Sequence, residues 1–197
     1  MEHFGLSVNY YHLPGFPHGK WMNEVLNNTK DDVVGFIDND CVPTNKQVIE
    51  MCFEYAFKKE SFIGAAQATN HIPPCSHIFV APGFHIMSKK CYEKLGRPTY
   101  SETKRSDVAE EVSYVAEEKG VKYRALYPTH YDSPSTDGLW ALSNYGYYAI
   151  GTHYMGGIYH LYQGRYQINV ELFEKRCEQI VNGSFTVNGM KNSLDLI

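Results

Sequence analysis

The chain has 197 residues, the length of one ordinary domain with a substantial core, and its formal net charge is −4. Lysine and arginine form no basic stripe, which argues against nucleic acid as the main partner. There is no apolar run of transmembrane length, no start like a signal peptide and, among five cysteines, no C-x-x-C pair. We therefore expect a cytoplasmic protein with reduced, mostly buried thiols.

Strand and helix patterns alternate from the start of the chain. Residues 5–11 have the pattern of a strand, and residues 19–28 that of a helix with Trp21, Val25 and Leu26 on one face. The apolar run over residues 33–37 predicts a buried strand.

The clearest predicted helix covers residues 44–59. Thr44 and Gln47 form a capping box at its start. Its predicted buried stripe consists of Val48, Met51, Cys52 and Tyr55.

The remaining elements continue the alternation. Predicted strands cover residues 62–68, 78–80 and 123–127, and predicted helices cover residues 88–95, 106–119 and 169–181. A loop rich in glycine and tyrosine fills residues 131–157. The pattern predicts an α/β sandwich with a mostly parallel sheet, in a single domain over residues 1–183 followed by a polar tail over residues 184–197.

Two acidic residues directly follow the predicted strand at residues 33–37. On an extended chain, Asp38 and Asp40 point the same way with Cα atoms about 7 Å apart. Two carboxylates placed in this way can share one divalent cation, which can in turn bridge a diphosphate. Taken alone, the same residues are equally typical of a turn after a strand.

A second acidic group lies at the start of the predicted helix over residues 106–119. Asp107 and Glu110 face away from its apolar stripe, where a carboxylate can act as a base over a cleft. The helix dipole favours acidic residues in a first turn for structural reasons as well.

Aromatic residues surround a third group, over residues 156–165. His160 is a candidate metal ligand, and Arg165 is a candidate for binding phosphate through both ends of its guanidinium group. A structural role for either side chain is the ordinary alternative. The sixteen tyrosines and ten phenylalanines of the chain suit a sugar-binding groove or simply an aromatic core.

Taken in order, these segments resemble glycosyltransferases of the GT-A fold, close to the large family-two group. VVGFIDNDCVP resembles the D-x-D region, and HIFVAPGFHIMSKKCYEKLG resembles the strand-turn-strand-helix acceptor region. SDVAEEVSYVAEEKGVKYRALYPTHY is similar to the segment with the catalytic acid, and YHLYQGR is similar to the late stretch that bears a histidine. The resemblance implies a GT-A-like, Rossmann-related three-layer sandwich.

The resemblance also implies roles for individual residues. Asp40 would bind Mn²⁺ or Mg²⁺ directly, His160 would complete the coordination, and Asp38 would contact the donor's ribose or the metal shell. Asp107 would be the general base, with Glu110 as the rival for that role. Residues proposed to contact the substrate are Asp38, Gly83, Phe84, His85 and Arg165.

The sequence departs from the family at two places. Relatives usually carry Glu-Asp at the catalytic position, whereas this chain has Ser106-Asp107. Only 37 residues precede Asp38, so we expect the N-terminal β-α units that bind the nucleotide base to be lacking. Without those units the chain alone would bind nucleotide weakly, and an exposed strand over residues 5–11 would favour a homo-oligomer.

The leading functional hypothesis is a metal-dependent hexosyltransferase. It would move a sugar from a nucleotide-diphosphate sugar to a hydroxyl of a glycan, lipid or protein. The alternatives are a non-catalytic GT-A remnant that binds carbohydrate or protein and, third, a nucleotidyltransferase. The third would normally show a glycine-rich nucleotide loop near the N-terminus, and His18-Gly19-Lys20 is too slight to count as one.

Overall fold

The computed structural model describes residues 1–11, 15–69, 71–73, 75–133 and 138–194, which form two compact units. Unit 1 comprises Met1–Val8, Asp38–Ile49 and Tyr127–Ile197, and unit 2 comprises Asn9–Ile37 and Glu50–Leu126. No helix within the described ranges is long and apolar enough to cross a membrane.

The first half of the chain mixes helices and strands, with β-strands mostly in consecutive pairs, and short strands dominate the second half. The helices are α1 (His18–Asn28), α2 (Lys46–Lys59), α3 (Lys89–Lys94), α4 (Glu110–Glu118) and α5 (Gln167–Val181). The strands are β1 (Val33–Ile37), β2 (Cys41–Pro43), β3 (Phe62–Ala68), β4 (Ile78–Ser88), β5 (Arg124–Leu126), β6 (Pro128–Asp132), β7 (Leu139–Ala141), β8 (Tyr147–Ala149), β9 (Gly151–Tyr154), β10 (Ile158–Leu161) and β11 (Lys191–Asn192). The predicted α/β class is confirmed.

Unit 2 is built on a four-stranded sheet in the order β1-β4-β3-β5. β4 pairs antiparallel with β1 and β3, and β5 runs parallel to β3. The prediction of a mostly parallel sheet is therefore wrong for the strands described. Residues 69–77 join β3 to β4, and this connection is too short for a parallel crossover, which needs a dozen or more residues.

Helices α1 and α4 contribute to the core of unit 2. Met22 and Leu26 of α1 are buried in one apolar cluster with Val112 and Ala116 of α4. The predicted face of α1 is confirmed, since Leu26 is buried and Trp21 and Val25 pack against this cluster.

The buried stripe of α2 was predicted only in part. Cys52 is buried as predicted, and Val48 and Tyr55 are half-buried. Met51, however, is 59% exposed, and the other buried positions are Ile49 and Ala56. The predicted capping box is also absent from the described contacts, because the Gln47 N–H donates to Asn45 Oδ1 and Thr44 Oγ1 instead lies 3.1 Å from His153 Nε2.

Gly64 in β3 is required by a close approach of two strands. It lies opposite His85 of β4, and a Cβ atom at this position would lie 2.0 Å from the Phe84 carbonyl oxygen. Because that atom belongs to the backbone, the strands would have to separate.

We therefore expect Gly64→Ala to lower the free energy of unfolding by about 3 kcal/mol, measured by denaturant titration. Gly164→Ala is the control, since its added Cβ would meet its nearest neighbour at an ordinary 3.5 Å and should change stability by less than about 0.5 kcal/mol. Equal effects of the two substitutions would contradict the close approach.

Unit 1 contains a five-stranded sheet in the order β11-β6-β9-β10-β2, and a separate pair of strands, β7 and β8. Every pairing in the five-stranded sheet is antiparallel. β10 pairs with β2 in a register that sets His160 opposite Cys41.

Two further predictions fail, one at the N-terminus and one in unit 1. Residues 5–11 form no strand, so self-association through such a strand loses its structural basis. The predicted loop at residues 131–157 contains β7, β8 and β9, in keeping with the strand preference of tyrosine; residues 134–137 lie outside the described part. The polar tail contributes β11.

Candidate metal centre

Asp38 and Asp40 lie in a tight turn directly behind β1, at the position predicted from the sequence. The Cys41 N–H donates to the Asp38 carbonyl oxygen at 3.1 Å and closes the turn. The Leu161 N–H donates to the Asp40 carbonyl oxygen at 2.8 Å, which continues the pairing between β2 and β10. This pairing places Asp40 beside the residues of β10.

His160 lies on β10 next to this turn. Its Nε2 atom is 3.4 Å from Asp40 Oδ1. One ligand atom from each of Asp38, Asp40 and His160 lies within 4.8 Å of the others. The structure thus brings together the three residues proposed from the sequence as metal ligands.

The spacing of these ligand atoms fits a single cation. Carboxylate oxygen and imidazole nitrogen bind divalent metals at about 2.0–2.2 Å, so two ligands of one ion lie at most about 4.4 Å apart. The ligand atoms of Asp38, Asp40 and His160 lie within 4.8 Å of one another, so small side-chain rotations would bring all three onto one ion. Two carboxylates and one imidazole suit Mn²⁺ better than Mg²⁺, which strongly prefers oxygen ligands.

The surroundings of His160 leave its Nε2 directed at Asp40. The side chain is buried, and its ring packs 4.1 Å from the ring of Tyr162. Within the described part of the chain, the buried Nδ1 atom has no hydrogen-bond partner. Metal-bound histidines usually donate this second N–H to an acceptor, so in a metal site here packing against the Tyr162 ring would have to orient the imidazole. A proton on Nδ1 would leave the Nε2 lone pair for a cation.

Cys41 lies beside the turn but is not a ligand candidate. Burial, together with the negative charges of Asp38 and Asp40, raises the pKa of its thiol well above the ordinary value. Cys41 also lies outside the group of ligand atoms that Asp38, Asp40 and His160 bring together, so its buried thiol is assigned to packing.

A substitution at His160 tests the ligand set. His160 supplies the one nitrogen of the proposed ligand set, and loss of even a supporting contact to a metal ligand costs about 10–100-fold in affinity. His160→Ala should therefore bind Mn²⁺ at least about tenfold more weakly than the native protein, measured by calorimetry. An unchanged Mn²⁺ affinity would remove His160 from the set.

The segment after β10 adds two residues that the sequence did not single out. Tyr162 orients His160, and its hydroxyl lies 2.6 Å from the Tyr154 hydroxyl. A Cβ atom at Gly164 would lie 3.5 Å from Asp40 Oδ2, so the main chain passes close to that carboxylate. Arg165 is exposed, with its guanidinium group 4.9 Å from the ring of Tyr166.

Asp107, in unit 2, precedes α4 instead of lying inside it. The predicted helix start at Ser106 is wrong, because α4 begins at Glu110 behind Ala109, which adopts a left-handed conformation with φ of 69°. Asp107 Oδ1 accepts the Val108 N–H at 2.7 Å, and Oδ2 lies 4.0 Å from His71 Nδ1. Burial raises the pKa of the Asp107 carboxyl, which increases its basicity once it is ionised.

Glu110 has a different environment from Asp107. The residue is 1% exposed, and its carboxylate accepts hydrogen bonds from Thr69 Oγ1, His77 Nδ1 and the Asp107 N–H at 2.6, 2.8 and 2.7 Å. Burial alone would raise the pKa of Glu110, but these hydrogen bonds outweigh it and lower the pKa. A carboxylate held in this way suits a structural role better than that of a base.

Gly83, Phe84 and His85 are buried in β4, which is one continuous strand where a strand-turn-strand was expected. Both ring nitrogens of His85 face partners, with Nε2 2.9 Å from the Tyr100 hydroxyl and Nδ1 3.3 Å from the Val80 carbonyl oxygen. Burial lowers the pKa of His85 to about 4, so its ring is neutral near pH 7. The proposed contact of these three residues with substrate has no support from their position.

Comparison with known proteins adds nothing to this geometry: no protein-family model, no curated protein and no solved structure matches the chain.

Proposed function

We propose that the protein is a metal-dependent glycosyltransferase that uses a nucleotide-diphosphate sugar. The observation that carries the proposal is the approach of Asp38, Asp40 and His160, whose ligand atoms lie within 4.8 Å of one another. The resemblance of the surrounding segments to the D-x-D and later regions of GT-A enzymes supports the same function, and we propose a GT-A-like arrangement on this basis.

The proposed donor follows from the chemistry of the ligand set. A divalent cation held by two carboxylates retains open coordination positions, and phosphate oxygens are suitable ligands for them. When bound, the cation would neutralise the negative charge of the leaving diphosphate. Arg165, on the exposed segment after β10, is the proposed second group for the diphosphate.

Asp107 is the proposed general base toward the acceptor hydroxyl. Its carboxyl is partly buried, its pKa is raised by burial, and only Oδ1 is used by the adjacent main-chain N–H. Glu110 is less suited to this role because three hydrogen bonds stabilise its charged form.

Calorimetry with a panel of nucleotides, with and without Mn²⁺, tests the proposal. We expect a nucleoside diphosphate to bind in the presence of Mn²⁺ and to lose most of its affinity without the metal. A preference for nucleoside triphosphates, with release of pyrophosphate, would instead indicate a nucleotidyltransferase. The absence of any metal-dependent binding would contradict both enzymatic functions.

The second candidate function is a carbohydrate-binding module, and one feature of unit 1 favours it. Half-buried Trp140 stacks on Tyr148 with ring centroids 5.3 Å apart, and its ring lies 5.9 Å from that of Tyr162. Aromatic side chains of this kind commonly line ligand sites. Binding of free oligosaccharides without metal, lost in Trp140→Ala and retained in Asp40→Ala, would favour this function over the transferase.

A further inference from the structure

Helix α4 of unit 2 carries two acidic pairs on either side of Tyr114. Glu111 and Glu118 are bound by Arg105, which makes two hydrogen bonds to Glu111 at 2.6 and 3.0 Å and one to Glu118 at 2.6 Å. The Arg105 guanidinium group also lies 4.9 Å from the Tyr114 ring. Arginine keeps its charge at all ordinary pH values, so this clamp does not titrate.

The other pair, Glu110 and Glu117, is bound by a histidine. His77 Nδ1 lies 2.8 Å from Glu110 Oε1, and Nε2 lies 3.2 Å from Glu117 Oε1. Both ring nitrogens therefore face carboxylate oxygens, an arrangement that only the protonated imidazole can satisfy as a donor at both ends. The ring stacks on Tyr114 with centroids 3.7 Å apart, which fixes its orientation.

Glu110 connects this histidine to Asp107. One carboxylate oxygen faces His77, and the other accepts the Asp107 N–H at 2.7 Å and the Thr69 hydroxyl at 2.6 Å. Glu110 thus ties the start of α4, the end of β3 and the main chain at Asp107 to one imidazolium group. It is buried, so water cannot easily replace a lost partner.

We propose that His77 is a positioning residue: when protonated, it holds Glu110 in place and thereby fixes the main chain that carries Asp107. After loss of a proton the ring has one donor for two carboxylates, so the charged hydrogen bond to Glu110 becomes at best a neutral one. The restraint is then weaker, and the Asp107 segment moves more freely. The restraint stands on the contacts of unit 2, and only its consequence for sugar transfer rests on the proposed function.

The protonation of the pair gives the restraint its pH range. Burial opposes the charge on His77, but the hydrogen bonds to Glu110 and Glu117 raise its pKa above the ordinary 6.5. His77 therefore contributes its full stabilisation to the folded state below pH 6.5. This stabilisation is lost as the pH rises through the raised pKa of His77. The pKa of Glu110 is below the ordinary 4.5, so its contribution is complete above that pH and is lost as the pH falls through the lower value.

Other titratable groups face the same residues and must be controlled. Tyr114 stacks on His77, and the Tyr123 hydroxyl donates to Glu117 Oε1 at 2.6 Å. On the far side, His71 and Glu102 lie next to Asp107. His71 is the group whose protonation could produce the same pH-dependent change at Asp107, because its side chain is also an imidazole.

The test is nuclear magnetic resonance of the full chain, following the His77 ring and the Asp107 amide between about pH 5 and 9. We expect the Asp107 amide to change chemical shift, and to lose about tenfold of its exchange protection, with the same midpoint as His77. In His77→Gln the pH-dependent change at the Asp107 amide should be absent. Its exchange protection should be as low at every pH as it is in the native protein at high pH. Glu117→Gln removes only an exposed partner and should move the midpoint to lower pH without unfolding the protein.

Two matched variants serve as controls. Arg105→Gln breaks the clamp that does not titrate, and His71→Gln removes the competing imidazole; both should keep the pH step at Asp107. A step that persists in His77→Gln, or an Asp107 amide that ignores the titration of His77, would overturn the proposal. A protein that shows the step but neither binds nucleotide nor transfers sugar would refute the proposed function and leave the positioning role of His77 intact.

Discussion

Asp40→Ala should abolish Mn²⁺-dependent binding of a nucleoside diphosphate while leaving the fold intact. Asp40 supplies one of two carboxylates in the ligand set, and loss of even a supporting contact to a metal ligand costs about 10–100-fold in affinity, so loss of the ligand itself should cost at least about 100-fold. The side chain is 31% exposed, and the hydrogen bond to Leu161 uses the main-chain carbonyl, which alanine retains. Calorimetry gives the affinity, and thermal unfolding reports the fold.

Asp32→Asn is the matched control for this experiment. Asp32 is exposed and lies before β1, so its substitution removes the same charge from outside the ligand set. Nucleotide affinity should be unchanged in the control. Full Mn²⁺-dependent affinity in Asp40→Ala would remove Asp40 from the site, and equal losses in both variants would point to net charge instead of coordination.

Asp107→Asn should reduce the rate of sugar transfer by roughly 10²–10⁴-fold, the usual contribution of a general base, with little change in donor affinity. Asparagine keeps an oxygen that can accept the Val108 N–H, so the local main chain should be preserved. Steady-state kinetics separates the rate from donor binding, and the unfolding transition verifies the fold.

Glu110→Gln provides the contrast to Asp107→Asn. The neutral amide cannot satisfy every donor that meets the Glu110 carboxylate, and one buried unpaired group costs about 1–3 kcal/mol, so this variant should lose stability. If a well-folded Glu110→Gln protein were inactive while Asp107→Asn remained nearly normal, the two roles would have to be exchanged.

The sequence predicted the candidate metal set better than it predicted the sheets. Asp38 and Asp40 are two residues apart in sequence and follow an apolar strand, so their common position is a local property of the chain. His160 is distant in sequence: its aromatic segment marked it as one candidate ligand, and the resemblance assigned it to the same ion as Asp40. The pairing of β2 with β10 brings the two residues together. Strand pairing of this kind depends on long-range contacts that local patterns do not encode.

The errors have similar causes. Helix α2 is apolar on several faces, so residue spacing could not decide between the predicted stripe and the observed one with Ile49, Cys52 and Ala56. Glu110 was proposed as a rival base because helix periodicity in the sequence predicted its place in the first turn. Its hydrogen-bond partners Thr69 and His77 come from other segments, so its structural role could not be predicted. β4 runs antiparallel to β3 because the connection between them, residues 69–77, contains no crossover helix.

The proposed function requires Asp38, Asp40 and His160 to hold one divalent cation that binds a diphosphate. Anomalous diffraction from a crystal soaked with Mn²⁺ and a nucleoside diphosphate would locate this cation. We predict one manganese peak at about 2.0–2.3 Å from a carboxylate oxygen of Asp40 and from His160 Nε2, with Asp38 in the coordination shell and phosphate oxygens on the same ion. Manganese bound elsewhere, or a diphosphate bound without contact to this ion, would contradict the account.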